Sequence, residues 1–293
     1  MATATSTKPS LKALGRQSGP LERWHLLSLD APTIATLWTW FIASANHIQL
    51  PFSSTLSMAI TVWMLYAADR LMDSRLLSSD QTLDLDLEAR HYFHYRHRSA
   101  FLVTIVGAAI VLAALLPHLE TEALRLYLIL GSLVIGYFIV IHATRSAHRF
   151  PKEIAVGIFF AAAVFIPTIA RRPDLRLPLL PFALLFAVLC SLNCLFIYTW
   201  EHDGFFNGST PHRITSWAIR NLPTLTVLLT LAGAAVALFD QRASWPIPYA
   251  IALSAALLLL LHNHRLAIAP VTLRAAADLA LTTPLLLVLF LRQ

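Results

Sequence analysis

Two aspartates lie four residues apart at the point where a long apolar run ends. They are Asp69 and Asp73, within the sequence T-V-W-M-L-Y-A-A-D-R-L-M-D-S-R of residues 61–75. In a helix this spacing places both carboxylates on one face, with Cβ atoms roughly 5–6 Å apart, where like charges repel. Arg70 and Arg75 are neighbouring cations, and a bound Mg²⁺ is another, since that ion takes carboxylate and phosphate oxygens as ligands. The pair indicates either a divalent-cation site or a helix end with charges in the headgroup layer.

A second acidic cluster follows a later apolar run and repeats this pattern. The sequence Tyr198-Thr-Trp-Glu201-His-Asp203 is similar to Tyr66-Ala-Ala-Asp69, because each apolar run ends in a tyrosine that is separated from an acid by two residues. The two runs are the second and the sixth of the chain, so helices formed from them point in the same direction. Two carboxylate clusters that face each other across a bundle would hold two divalent cations, whose natural ligand is a diphosphate.

A basic segment between the two acidic clusters supplies candidate anion-binding residues. It contains Arg145, Arg149 and Lys152, and the apolar run that follows carries Gly157 near its start. These cations either mark a cytoplasmic loop or neutralise the charge of a departing diphosphate. Asn193 lies two helical turns before the second acidic cluster, and a polar residue at that membrane depth is a candidate for function.

Apolar helices must position these residues. Hydrophobic residues make up 57% of the 293-residue chain and charged residues only 13%, against about 25% charged in a soluble domain. Nine apolar segments are each long enough for a helix to cross a hydrocarbon core of about 30 Å. They lie near residues 31–50, 53–72, 99–117, 122–142, 153–171, 177–200, 216–239, 245–262 and 273–291. The sequence therefore predicts an all-α membrane protein, a bundle of nine transmembrane helices.

The distribution of Lys and Arg predicts the orientation of this bundle. With the N-terminus in the cytoplasm, most of the 22 Lys and Arg residues fall on the cytoplasmic side, as the positive-inside rule requires. The net charge of +6 then reflects loops that face an anionic leaflet, and no nucleic-acid partner is expected. We expect residues 1–24 to form a disordered or interfacial tail and residues 25–293 a single transmembrane domain. The expected location is a bacterial inner membrane.

This layout resembles the UbiA-type superfamily of membrane prenyltransferases. That family has nine helices and two aspartate-rich motifs on cytoplasmic loops after the second and sixth helices. Its first motif, N-D-x-x-D-x-x-x-D, matches residues 65–73, where the last two aspartates are kept and Leu65-Tyr66 stand in place of the leading Asn-Asp. Its second motif is echoed by Glu201 and Asp203. The family's basic segment after the fourth helix is similar to residues 144–152.

The resemblance implies a Mg²⁺-dependent enzyme that transfers an isoprenyl group from a diphosphate donor to an aromatic or lipid acceptor. Asp69 and Asp73 would be the catalytic carboxylates, and the metal would be held by Asp69, Asp73, Glu201 and Asp203. The substrate-binding residues that it implies are Tyr66, Arg70, Arg145, Arg149, Lys152, Asn193 and Tyr198. Among these, the tyrosine rings could stabilise a developing carbocation, as aromatic faces attract cations.

Two other functions remain open at the level of sequence. A non-catalytic UbiA-like protein that binds membrane lipid is favoured by Leu65, Tyr66 and Phe205, which stand where the family has polar or acidic residues. A secondary transporter is favoured by the parallel repeat and by prolines inside the predicted spans. In the last span, Arg274 and Asp278 are four residues apart, and we expect them to form a structural pair.

Overall fold

The computed structural model describes residues 19–76, 93–94, 96–143, 151–201, 212–239 and 244–288. Within these ranges the regular secondary structure is helical and no strand occurs, which confirms the predicted all-α class. The helices are α1 (Pro20–Leu26), α2 (Asp30–Ala45), α3 (Phe52–Leu76), α4 (Arg98–Leu115), α5 (Thr121–Ala143), α6 (Lys152–Arg171), α7 (Arg176–Glu201), α8 (Arg213–Arg220), α9 (Leu222–Phe239), α10 (Pro246–Asn263), α11 (Pro270–Ala280) and α12 (Pro284–Leu287).

Five helical segments of the described chain are long and apolar enough to cross a membrane. They are Arg98–His118, Lys152–Arg171, Pro173–Glu201, Leu222–Phe239 and Pro246–Asn263. These segments agree with the expected membrane protein. All nine apolar segments of the sequence overlap helices, but the count of nine spans stays a prediction.

Two of the predicted segments are each divided into two helices by a proline. The segment 216–239 forms α8 and α9, which meet at Asn221, and Pro223 is the second residue of α9. Proline lacks an N–H group and cannot bond to a carbonyl of the preceding turn, so it suits the start of a helix. The last segment is likewise interrupted before Pro284, the first residue of α12. Hence α8 is a separate short helix, and α11 ends inside the bundle.

Small residues allow the central helices to approach closely. Helices α6 and α7 are joined by a short turn and pack along each other, as do α9 and α10. A Cβ atom added to Gly157 of α6 would lie 2.9 Å from the Cα atom of Ser191 in α7. One added to Gly233 of α9 would lie 2.8 Å from the carbonyl oxygen of Pro248 in α10. Such contacts are typical of helix packing in membranes, where van der Waals fit replaces the hydrophobic effect.

The core lies where α2 meets α6, α7 and the C-terminal helices. Trp38 and Phe186 are fully buried there, with ring centroids 4.4 Å apart. The indole Nε1 of Trp38 donates a hydrogen bond of 2.8 Å to the carbonyl oxygen of Leu281. In contrast, α4 packs mainly on α3 and exposes apolar side chains such as Val103 and Ile110. An apolar outer face of this kind suits contact with lipid tails.

Candidate functional site

A set of polar side chains is enclosed at one end of the bundle, where α2 begins and α3 and α7 end. We call it the polar cluster, and it consists of His25, Asp30, Tyr66, Arg70, Asn193, Glu201, Arg274 and Asp278. These residues come from five helices that are distant in sequence, namely α1, α2, α3, α7 and α11. Ionisable side chains enclosed in an otherwise apolar bundle are costly, which makes this cluster the principal candidate site.

Asp30 is the centre of one half of the cluster and is fully buried. Its Oδ2 atom lies 2.6 Å from Nδ1 of His25 and 3.3 Å from Nη2 of Arg70, and it accepts a longer bond of 3.4 Å from the Tyr66 hydroxyl. Its Oδ1 atom accepts a bond of 3.0 Å from the backbone N–H of Ala31. Four donors therefore compensate the burial of this carboxylate.

Arg70 joins three helices through its guanidinium group. Its Nη1 atom donates to the carbonyl oxygen of His25 at 2.6 Å, and its Nη2 atom donates to the Tyr66 hydroxyl at 2.8 Å. The guanidinium carbon also lies 4.3 Å from the centroid of the Tyr66 ring. A planar fork that bonds in several directions and stacks on an aromatic ring is particular to arginine. Arg70 therefore fixes α1 and the start of α2 against α3.

His25 is electrically neutral in this environment. Burial lowers the pKa of His25 to about 4, and the charge of Arg70 acts in the same direction, although the hydrogen bond to Asp30 raises it. A neutral imidazole that carries its proton on Nδ1 makes the bond to Asp30 without adding a second buried cation. Only 2% of the surface of His25 is exposed.

Asp278 and Asn193 form the other half of the cluster. The Asn193 Nδ2 atom donates to Oδ1 of Asp278 at 3.0 Å, and both side chains are buried. Arg274 is paired with Glu201. These two contacts replace the expected pairing between Arg274 and Asp278. The halves are adjacent, because ligand atoms of His25, Asp30 and Asp278 all lie within 4.8 Å of one another.

The structure brings several of the predicted site residues to this end of the bundle. Tyr66, Arg70, Asn193 and Glu201 belong to the cluster itself. Asp69 is half-buried beside Arg70 and takes part in interactions of its own. The C-terminal parts of α3 and α7 therefore contribute to one cluster, in which Asp30 and Asp278 lie between Arg70 and Asn193.

Other predicted residues lie outside the cluster or outside the described chain. Tyr198 is half-buried near the end of α7, and Lys152 is exposed at the start of α6. Asp73 lies in α3, but its side chain is outside the part that the structure describes. Arg145, Arg149 and Asp203 fall in segments outside the described residues. Their proposed roles stay predictions.

An apolar groove of about 890 Å³ runs beside the cluster between α2, α3 and α4. Its lining includes Leu29, which directly precedes Asp30, and Trp63, which lies one turn before Tyr66. It continues along α2 as far as Trp40. A volume of this size is in the range of ligand-binding cavities. One end of the groove therefore lies at the level of the polar cluster, and the rest is apolar.

The cluster itself does not fit Mg²⁺. Of the three residues whose ligand atoms lie close together, His25 offers a nitrogen, whereas Mg²⁺ prefers oxygen. The oxygens of Asp30 are already engaged by four donors, one of them the cation Arg70. Asp69 and Glu201 are half-buried and so form the more accessible rim of the cluster. Their side chains offer only oxygen atoms, which suit Mg²⁺.

The roles of His25 and Asp30 were not predicted from the sequence. Both precede the first predicted apolar segment, which begins near residue 31. The motif Leu29-Asp30-Ala31-Pro32 carried a usable signal, because an acid followed by proline at the second following position is typical of a helix start. What the sequence could not show is that α3 would supply an arginine to this acid.

No protein-family model, no curated protein and no solved structure matches the chain. Function must therefore be inferred from the chemistry of this chain. Its residues offer carboxylates and guanidinium groups at the end of a bundle and an apolar groove beside them. That combination suits a ligand with a charged head and a long apolar tail.

Proposed function

We propose that the chain is a UbiA-like integral membrane prenyltransferase, which transfers an isoprenyl group from a diphosphate donor to an aromatic or lipid acceptor. The observation that carries this proposal is the apolar groove whose one end lies at the polar cluster. An isoprenyl diphosphate has the matching shape, with an anionic head and a hydrocarbon tail. We further propose a bacterial inner-membrane location with the N-terminus and this end of the bundle in the cytoplasm.

The groove supports an apolar tail in preference to a compact polar substrate. Its walls carry Leu37, Ile60 and Trp63, and burying hydrocarbon against such side chains contributes about 25 cal/mol per Å² of apolar surface. Gly107 of α4 also lines the groove, and a Cβ added there would meet no atom within 4 Å. A large side chain at this position would therefore fill the groove without disturbing the helix packing.

Charged residues at the rim would bind the head of such a ligand. Mg²⁺, held by Asp69 and Asp73 with Glu201 and Asp203, would neutralise the diphosphate and so favour its departure. Lys152 would contribute a further positive charge from the start of α6, together with Arg145 and Arg149. The ring of Tyr198 would offer a face toward positive charge that develops on the isoprenyl carbon.

Release of diphosphate tests this function directly. The purified protein in liposomes would be incubated with isoprenyl diphosphates of several chain lengths, a lipophilic aromatic acceptor and Mg²⁺. We expect Mg²⁺-dependent release of diphosphate, and we expect Asp69→Asn to abolish it, because the variant loses a ligand charge at the rim. Asp174→Asn is the matched control, since Asp174 is exposed in the turn between α6 and α7 and its ion pair among the described residues is with the nearby Arg172.

Filling the groove tests the place of the tail separately. Gly107→Phe should reduce binding of long isoprenyl diphosphates at least tenfold and leave thermal stability close to that of the wild type. Gly131→Phe, on α5, is the control, because its added Cβ also meets no atom within 4 Å and it does not line the groove. Equal binding by both variants would place the tail elsewhere.

A non-catalytic protein that binds isoprenoid lipid is the second candidate. Two ion pairs favour it, because Asp30 with Arg70 and Glu201 with Arg274 already join carboxylates to fixed cations. Carboxylates engaged in this way are weaker metal ligands. In the liposome assay this candidate predicts binding that is sensitive to Gly107→Phe, with no release of diphosphate.

A further inference from the structure

The polar cluster contains more carboxylates than fixed cations. Arg70 is paired with Asp30 and Arg274 with Glu201. Asp278 is the third carboxylate, and its described hydrogen bond comes from the neutral amide of Asn193. A buried carboxylate without a matching cation is strongly unfavourable in its ionised form.

The neighbouring carboxylate of Asp30 makes ionisation of Asp278 still more costly. A ligand oxygen of Asp278 lies within 4.8 Å of one from Asp30, and only 8% of the Asp278 surface is exposed. Asp30 must stay ionised, because it accepts bonds from both His25 and the always charged Arg70. Two neighbouring buried carboxylates do not both ionise readily, so a proton belongs on the other one.

Asn193 provides an independent observation that points to the same proton. It is 6% exposed, and its Oδ1 atom has no hydrogen-bond partner among the described residues. A buried acceptor left without a donor destabilises the fold. A carboxylic acid and a carboxamide can satisfy each other with two bonds, in which the acid O–H donates to the amide oxygen and the amide N–H donates to the acid oxygen. An ionised Asp278 has no O–H group for the first of these bonds.

We propose that Asp278 is a proton-binding site, a neutral carboxylic acid at pH 7 that is hydrogen-bonded to Asn193. The proton comes from bulk water and forms one O–H bond on the carboxylate, and no other bond changes. This end of the bundle therefore has a group that can donate a proton and take it back. The inference stands apart from the prenyltransferase proposal, because its tests use no ligand.

The groups that set the charge around this site come from each helix packed against α11 and from α3. They are His25 of α1, Asp30 of α2, Arg70 and Tyr66 of α3, Asn193, Cys194 and Glu201 of α7, His262 of α10 and Arg274 of α11 itself. His25 opposes Asp278 in its dependence on pH, because the fold favours the imidazole without its added proton and the carboxylate with one. The pH profile of the wild type is therefore a sum of two opposed effects, and comparison with a variant separates them.

Asp278→Asn tests the proposal, because asparagine imitates the neutral acid in shape and in hydrogen bonding. We expect the melting temperature of this variant to equal that of the wild type near pH 4. As the pH rises to 8, the variant should become the more stable protein by a growing margin, because only the wild type must keep a proton. A variant that is less stable at pH 7, with a deficit that shrinks toward pH 4, would show that Asp278 is an ionised structural partner and would overturn the proposal.

Asp30→Asn provides the contrast within the same cluster. It removes a charge that Arg70 requires, so we expect a lower melting temperature than the wild type at pH 7. Infrared spectroscopy of the wild type gives a test that does not depend on any variant. A protonated-carboxyl C=O band at pH 7 that shifts in D₂O is expected, and absence of this band would overturn the proposal.

Discussion

The contacts of single residues explain why α1 and the start of α2 are held in the bundle. His25 and Asp30 precede Arg70 by 45 and 40 residues. The guanidinium group of Arg70 nevertheless binds both the backbone carbonyl of His25 and the carboxylate of Asp30. Removing one partner of such a buried pair costs about 3–5 kcal/mol, because the other charge is left without compensation. The cluster is therefore structural as well as chemical, and its protonation is linked to folding.

The titration of His25 predicts whether the free energy of unfolding rises or falls with pH, and this direction can be measured. Its pKa is about 4 in the fold and about 6.5 in the unfolded chain. The stability that neutral His25 contributes is present above pH 6.5 and is lost as the pH falls toward 4. We expect the free energy of unfolding of the wild type, relative to His25→Asn, to decrease by about 3 kcal/mol over this interval.

Thermal unfolding in detergent across pH 4 to 7 measures this difference. Asparagine keeps a donor near the position of Nδ1, so the variant retains a bond to Asp30 and lacks the titration. His118→Asn is a suitable control, because His118 is exposed at the turn after α4 and its imidazole bonds to the carbonyl oxygen of Ala114, one turn earlier. A wild type and His25→Asn variant with parallel pH profiles would contradict the assignment of a neutral buried imidazole.

At the scale of helices, close packing depends on positions where a side chain would not fit. Gly157 of α6 faces the backbone of α7, where an added Cβ would lie 2.6 Å from the amide nitrogen of Ser191. Contacts this short with backbone atoms cannot be relieved by a rotamer change. The pairing of α6 and α7, which holds Asn193 in the cluster, therefore requires glycine here.

Gly157→Ala should lower the free energy of unfolding by about 1–3 kcal/mol, the usual cost of overpacking a core. Gly136→Ala is the matched control, because Gly136 lies within α5 and an added Cβ there meets no atom within 4 Å. For the control we expect no loss, and a gain of up to about 1 kcal/mol from helix propensity. Thermal melts of both variants give the comparison, and equal stability would show that the two helices can separate slightly at no cost.

The sequence predicted helices better than it predicted contacts. Run length and composition were sufficient for the apolar segments, because a span must satisfy its backbone internally. The breaks before Pro223 and Pro284 were not predicted, because a proline inside an apolar run can either bend a membrane helix or end it. Tyr66, Arg70, Asn193 and Glu201 were among the predicted site residues, but their roles as substrate or metal ligands stay predictions. The partners of Asp278 and Arg274 depend on tertiary packing, and local spacing favoured the wrong pair.

At the scale of the whole molecule, two exposed residues, Asp174 and Arg213, lie beyond opposite ends of α7. Asp174 lies in the turn before it, and Arg213 lies on α8, beyond its other end. If α7 crosses the membrane as its length and composition allow, these positions face opposite sides. The charge distribution predicts that the side of Arg213 is the cytoplasm.

Labelling of single cysteines with a membrane-impermeant maleimide tests this topology. The two natural cysteines, Cys190 and Cys194, would first be replaced by alanine. We expect Asp174→Cys to react in intact cells and Arg213→Cys to react only after the membrane is opened. Reaction of both from outside would show that α7 does not cross the membrane, and the reverse pattern would invert the orientation.

The bond from Trp38 to the carbonyl oxygen of Leu281 joins the first long helix to the last part of the chain. During synthesis, α2 leaves the ribosome long before Leu281 is added, so the indole N–H of Trp38 lacks this acceptor until the residue after α11 has been made. A chain that stopped before Leu281 would leave this indole N–H without the carbonyl oxygen that it bonds in the complete bundle. Closure of the core around Trp38 therefore requires the chain at least as far as Leu281.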